Sequence, residues 1–192
     1  METLGDDPDR ARKVEVVPYD AGWPRLFAAE EAKIRAALGA NALLIEHVGS
    51  TSVPGLAAKP VIDVQLAVRN SADEGAYRSA LERAGYRLII REPEWFEHRL
   101  FKGAAPETNL HVFSAGCPEL DRCRMFRDWL RITPHDVALY ARTKQQLATQ
   151  TWAHVQDYAN AKQTVIAEIM ARAATRTVPG EESGRNSAPQ QD

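Results

Sequence analysis

From His47 to Gln65 the chain passes from an apolar run into Gly49-Ser50, through small residues broken by Pro54-Gly55, and into a second apolar run carrying an aspartate. Residues 43–48 read as a buried strand, and residues 61–68 as a second strand with period-two alternation. Ile62, Val64, Leu66 and Val68 fall on one face, and Asp63 and Gln65 fall on the other. The alternation therefore aims Asp63 away from the core. A Gly-Ser turn offers backbone N–H groups and hydroxyls that suit an anion such as a triphosphate. An aspartate one strand away suits the divalent cation that such an anion carries. The same Gly, Ser, Thr and Pro-Gly residues also make an ordinary loop between two strands, and that reading stands beside the first.

The rest of the chain reads as strands followed by helices. An edge segment at residues 14–17 leads to a helix marked by Trp23, Leu26, Phe27, Ile34 and Leu38, which Gly39 stops. Residues 73–84 form a second helix ahead of Gly85, and residues 86–91, 97–102 and 108–113 are three further strands. On the last of these, Leu110 and Val112 share one face while Asn109 and His111 share the other. Helices follow at residues 119–131, from Pro134 to about 150, and over 152–173. This order predicts an α+β fold, a mixed sheet with helices on one side and a C-terminal helical segment. Residues 13–174 form one domain. Residues 1–12 and 175–192 carry too few apolar side chains to offset the entropy of ordering and are expected to be disordered.

Bulk properties exclude several classes. A net charge of −2 gives no electrostatic case for general nucleic-acid binding. No apolar run reaches the ~20 residues of a membrane helix, and the acidic N-terminus lacks the basic and apolar regions of a secretory signal. Cytoplasmic residence with reduced thiols is the expectation. Cys117, Cys123 and His111 match no standard zinc spacing and lack a fourth ligand. No Walker phosphate loop, dinucleotide-binding glycine fingerprint or Gly-x-Ser-x-Gly elbow is present. A hydrolase triad of Ser50, His47 and Asp63 is disfavoured, because His47 and Ser50 lie too close around one turn.

The 47–65 stretch resembles the signature of the GrpB family of small bacterial proteins. Asn109-Leu110-His111-Val112, Phe126-Arg127-Asp128-Trp129-Leu130-Arg131, Tyr140 with Lys144, and Tyr158 with Lys162 extend the resemblance from about Val14 to Ala173. It implies a place in the nucleotidyltransferase superfamily, and a domain that also occurs fused behind dephospho-CoA kinase. In that superfamily the Gly-Ser turn contacts the β- and γ-phosphates. The next strand carries Asp-x-Asp or Asp-x-Glu, whose carboxylates hold two metal ions. Here the first acid is Asp63, and the second position is Gln65, which brings no negative charge.

These considerations nominate Gly49, Ser50, Thr51 and Ser52 for phosphate, and Asp63 with Gln65 and His111 for Mg²⁺ or Mn²⁺. His111, on a strand that fits beside Asp63, is either a ligand or a general base, or a histidine hydrogen-bonded within the fold. Lys59, Arg99 and Lys162 are the cations expected to neutralise phosphate oxygens, each with a surface ion pair as the alternative. Phe126, Trp129 and Leu130 are expected to pack on the sheet, with Arg127, Asp128 and Arg131 as a solvated charged edge. The expected function is metal-dependent handling of a nucleoside triphosphate, with nucleotidyl transfer to an unidentified acceptor. The alternatives are a non-catalytic module for a nucleotide or another phosphorylated small molecule, and a protein-interaction domain with an unknown partner. Gln65 in place of an acid favours the non-catalytic module.

Overall fold

The computed structural model describes residues 1–4, 15–152 and 154–176. Six strands form one sheet: β1 (Glu2–Thr3), β2 (Leu44–Val48), β3 (Ile62–Val68), β4 (Arg87–Glu92), β5 (His98–Ala104) and β6 (Glu107–Ser114). Their order is β1-β4-β5-β6-β3-β2. β3 and β6 run parallel, and every other pairing is antiparallel. The helices are α1 (Trp23–Leu38), α2 (Arg78–Arg83), α3 (Pro118–Ile132), α4 (Pro134–Ala148), α5 (Val155–Ala161) and α6 (Gln163–Arg176). The α+β expectation holds.

Alternation along the central strands divides the sheet into two faces. Ile62, Val64 and Leu66 of β3, Leu110 and Val112 of β6, and Phe101 of β5 pack with Ile34 and Leu38 of α1 and Leu81 of α2. Ile34 and Leu81 are fully buried, and burial of such side chains stabilises by roughly 1.5–3 kcal/mol each. The opposite face carries Asp63 and Gln65, and in register beside them Asn109 and His111. Helices cover both sides rather than one. Cys117, just before α3, and Leu120 of α3 pack on Ala67 and Phe113, which lie on the Asp63 face.

A second core explains how the loop after β2 is held. Val53 and Leu56 pack with Leu130, Tyr140, Val165 and Ile169 from α3, α4 and α6. Phe126 and Trp129 join this cluster, so they pack among helices and not on the sheet. The loop at residues 49–58 is thus wedged between the sheet and the C-terminal helices.

Four element boundaries differ from expectation. Glu2 and Thr3, placed in a disordered N-terminus, pair with Arg91 and Ile90 as an edge strand. The helix expected over 73–84 is shortened to α2, preceded by a 3₁₀ turn at Glu74–Ala76. Tyr77 leaves the helical path to bury its ring and donate its hydroxyl to Ser71 O at 2.5 Å. The last predicted helix is two helices broken at Lys162, whose N–H bonds Ala159 O in 3₁₀ fashion. Of the predicted edge segment, Val17 bridges Ala58 through two hydrogen bonds of 2.9 Å. Of the tail expected to be disordered, residues 175 and 176 end α6, and the expected disorder at 5–12 and 177–192 lies outside the described residues. Among the described residues no helix is long and apolar enough to cross a membrane.

Candidate functional site

Gly49 ends β2 with φ 68°, a conformation that suits glycine. A Cβ on Gly49 would stand 2.2 Å from Asp63 Oδ2. The Asp63 carboxylate therefore lies directly against the Gly-Ser turn, and only glycine leaves it room. Residues Ser50–Ser52 make one 3₁₀ turn. The Thr51 hydroxyl donates to Val61 O at 3.1 Å and accepts from His47 Nε2 at 3.0 Å. Ser52 Oγ donates to Gly49 O at 2.6 Å. Two of the three hydroxyls nominated for phosphate, those of Thr51 and Ser52, are thus spent on backbone carbonyls and buried. Ser50 is half-buried and hydrogen-bonded to the Tyr140 phenol.

The loop is clamped from behind by groups expected to be solvated. Arg131 donates to Ser52 O from Nε at 3.1 Å and from Nη2 at 2.9 Å. Buried Arg127 donates to His47 O at 3.0 Å while pairing with Asp128. His47 stacks on Phe27 with ring centroids 4.7 Å apart. Its pKa is lowered to about 4 by burial and by Arg131 and Arg127. His47 lies on the sheet face opposite Asp63, which removes the Ser50–His47–Asp63 triad on geometry.

On the Asp63 face four polar side chains form a two-by-two patch. Asp63 pairs in register with Asn109, and Gln65 with His111. Asn109 Nδ2 donates to Asp63 Oδ1 at 2.7 Å. His111 Nε2 stands 4.0 Å from the same oxygen, with both side chains about a quarter exposed. Gln65 is buried, and its Nε2 donates to Glu119 O at 3.4 Å. Gln65 Oε1 and Asn109 Oδ1 are buried and have no hydrogen-bond partner in the structure. The patch floors a cavity of about 420 Å³ whose wall includes Gly49, Lys102, Lys162 and Trp95.

Electrostatics around Asp63 are finely opposed. Burial raises its pKa, while the Asn109 hydrogen bond and the ammonium groups of Lys162, Lys102 and Lys59 pull it down; burial prevails. Lys162 sits over the Tyr158 ring at 4.6 Å, and burial lowers its pKa against the pull of Asp63. Lys59 pairs with Glu107 at 3.6 Å at the rim. The pKa of His111 is lowered to about 3, first by burial and then by His98 and Lys102. A group so weakly basic suits a lone-pair ligand better than a general base at neutral pH.

Arg99 does not belong to the site. It pairs in register with Val112, on the core side, and its Nε donates to Glu74 Oε1 at 2.7 Å. Alternation within β5 sends Arg99 to one face and His98, Leu100 and Lys102 to the other. His98 and Lys102 were legible from the same pattern once β5 and β6 pair as a hairpin. Lys144 was also not nominated. Its Nζ donates to Ala57 O at 2.5 Å, and burial with the Lys162 charge lowers its pKa to about 7. Both cysteines are free, and burial with Glu119 pushes the Cys123 thiol up to about 12. Among the described residues no cluster of three or more His, Cys, Asp and Glu side chains gathers around a metal position.

Residues 13–172 match the sequence profile of the family described as GrpB protein. The chain belongs to the GrpB family. A UPF0157 protein of Halalkalibacterium halodurans is 53% identical over 171 residues, covering 89% of this chain and 88% of the relative. The crystal structure of conserved protein GrpB from Enterococcus faecalis superimposes with a TM-score of 0.73 at 30% identity, covering 84% of this chain and 98% of that one. A dephospho-CoA kinase of Mycolicibacterium paratuberculosis is 28% identical over 83% of this chain but only 46% of its own length, as expected where a GrpB-like domain is fused to another. The family, the fold and the fusion habit agree with the resemblance drawn from the 47–65 stretch.

Proposed function

We propose that this GrpB-family chain binds a divalent cation together with a phosphorylated ligand, most simply a nucleoside triphosphate, in the cavity over Asp63. The observation that carries the reading is the contact between Asp63 and the Gly49 turn, with two unpartnered amide oxygens and an imidazole beside it. The donor set fits a hard cation. One carboxylate, two amide oxygens and one nitrogen suit Mg²⁺ or Mn²⁺. Asp63, Asn109, Gln65 and His111 would hold the ion, which supplies charge neutralisation at the phosphate oxygens. Lys162 and Lys102 would balance the remaining negative charge, with Ser50 and the Gly49 turn receiving a phosphate edge. Lys59 serves this role only from the rim.

Nucleotidyl transfer is the activity such a site would support. The acceptor's hydroxyl would attack the α-phosphorus, and the bond to the pyrophosphate would break. A single carboxylate among four donors favours a second reading, binding without turnover. Pyrophosphate release separates them. Release that depends on Mg²⁺ or Mn²⁺ and disappears in Asp63→Asn supports transfer. Saturable binding by calorimetry with no release supports the sensing reading. No binding of any nucleoside triphosphate refutes both.

A further inference from the structure

The imidazole beside Asp63 is the end of a hydrogen-bonded line. Glu92 and His98 face each other across β4 and β5, and Glu92 Oε2 lies 2.8 Å from His98 Nδ1. His98 Nε2 in turn lies 3.1 Å from His111 Nδ1, one strand further on. The two rings lie within 21° of parallel with centroids 5.2 Å apart, and Phe113 also stacks on His98 at 4.7 Å. Trp95 meets His98 edge-on at 4.8 Å. His98 is 2% exposed. Its ring is locked by aromatic neighbours and cannot turn to exchange its two nitrogens freely.

We infer that Glu92 and His98 are positioning residues that fix the tautomer of His111, so that its Nε2 lone pair faces the Asp63 carboxylate side of the cavity. The protons follow from the acceptors. A carboxylate accepts only, so His98 Nδ1 carries the proton toward Glu92. Neutral His98 then has a bare Nε2, which accepts from His111. His111 must therefore carry its proton on Nδ1 and leave Nε2 free. A metal-ligating histidine is commonly held by a carboxylate on its other nitrogen, and loss of such a partner costs 10–100-fold in metal affinity. Here one extra imidazole is inserted, which carries the carboxylate's orienting effect across a whole strand. The tautomer assignment is independent of any ligand; its consequence for a cation rests on the function proposed above.

The alternative arrangement is chemically distinct. A doubly protonated His98 would donate to both Glu92 and His111 Nδ1, and His111 would then present an N–H, not a lone pair, toward Asp63. Long-range ¹⁵N spectra of the imidazole rings in the metal-free protein distinguish the two. The wild type should show His111 with a pyrrole-type Nδ1 and a pyridine-type Nε2. In His98→Phe, which keeps an aromatic ring in the stack, His111 should shift to the Nε2–H form. Glu92→Gln retains an oxygen acceptor for His98 and should preserve the wild-type pattern, whereas Glu92→Leu should lose it. Mn²⁺ titration should then show a 10–100-fold weaker affinity in His98→Phe and Glu92→Leu, with Glu92→Gln close to wild type. An Nε2–H His111 in the wild type, or a His111 pattern unmoved by His98→Phe, overturns the inference. The predicted tautomer in a wild type that takes no Mn²⁺ supports the positioning role and overturns the cation site instead.

Discussion

Gly49 Cα and the Asp63 carboxylate occupy one contact: an added methyl at Gly49 would lie 2.2 Å from Oδ2 and 2.8 Å from Asp63 Cβ. The turn and the acid are thus a single unit, joined across two strands that pair at Val48 and Asp63. Gly49→Ala should both strain a backbone at φ 68° and displace the carboxylate. The expected result is a loss of at least ~1 kcal/mol in denaturant unfolding, with cation binding abolished rather than weakened. Unfolding curves and Mn²⁺ titration on the same variant check both parts.

Asp63 itself is held at a cost in the ligand-free protein. Its pKa is raised by burial, so folding costs the ionised acid more than the protonated one. The associated stability is present below the unfolded pKa and is lost as pH rises through the folded value. At neutral pH the ionised carboxylate therefore destabilises, and Asp63→Asn should raise the thermal midpoint of the cation-free protein. The ranking should close or reverse on lowering the pH toward 4. Thermal scans of both proteins from pH 4 to 8 measure it.

His47 reports acid sensitivity behind the loop. Its folded pKa of about 4 lies below the ordinary histidine value of 6.5, so its contribution is present above 6.5 and is lost as pH falls toward 4. Over that window each such group removes about 1.4 kcal/mol per pH unit. His47→Gln keeps a donor for Thr51 Oγ1 without the titration. Its stability should fall less steeply between pH 6.5 and 4 than that of the wild type, as read by urea midpoints.

Arg99 tests which face carries the ligand. Glu74 receives Arg99 and Arg91 at 2.7 and 2.5 Å, and the Arg91 and Arg99 hydrogen bonds lower its pKa to about 2. Arg99→Met should lose ~2 kcal/mol of stability, the scale of a charge-assisted bond, because Arg91 remains on Glu74. Nucleotide affinity should not change. A loss of affinity in folded Arg99→Met would return Arg99 to the site.

Strands β2 to β6 were legible because their apolar or alternating runs are bounded by Gly, Pro or Ser, as β3 is by Pro60 and β2 by Gly49, whereas the two-residue β1 carries no such signal. Asp63, Gln65, Asn109 and His111 fell on one face by period alone, and their junction needed only β3 and β6 to be neighbours. What stayed hidden depends on choices that spacing does not encode. Arg99 and His98 are adjacent in sequence and differ only in which face of β5 they take. Thr51 and Ser52 turn their hydroxyls inward because the loop must satisfy its own carbonyls under the helical cluster. Arg127 and Arg131 read as a solvated helix edge, yet His47 O and Ser52 O lie within their reach only after α3 has folded back on β2. Lys162 looked like one residue of a long helix and is the point at which that helix breaks.

The most direct test is the thermal midpoint of the wild-type protein with nucleoside triphosphate and with Mg²⁺ or Mn²⁺, separately and together, beside Asp63→Asn and Lys162→Met. Ligand at ~100 times its dissociation constant adds about 2.7 kcal/mol, a shift of several degrees for a domain of this size. A shift that needs both cation and nucleotide, is lost in Asp63→Asn and is reduced in Lys162→Met is the predicted result. An unchanged midpoint with every nucleotide and both metals would contradict a cation-dependent phosphate site over Asp63.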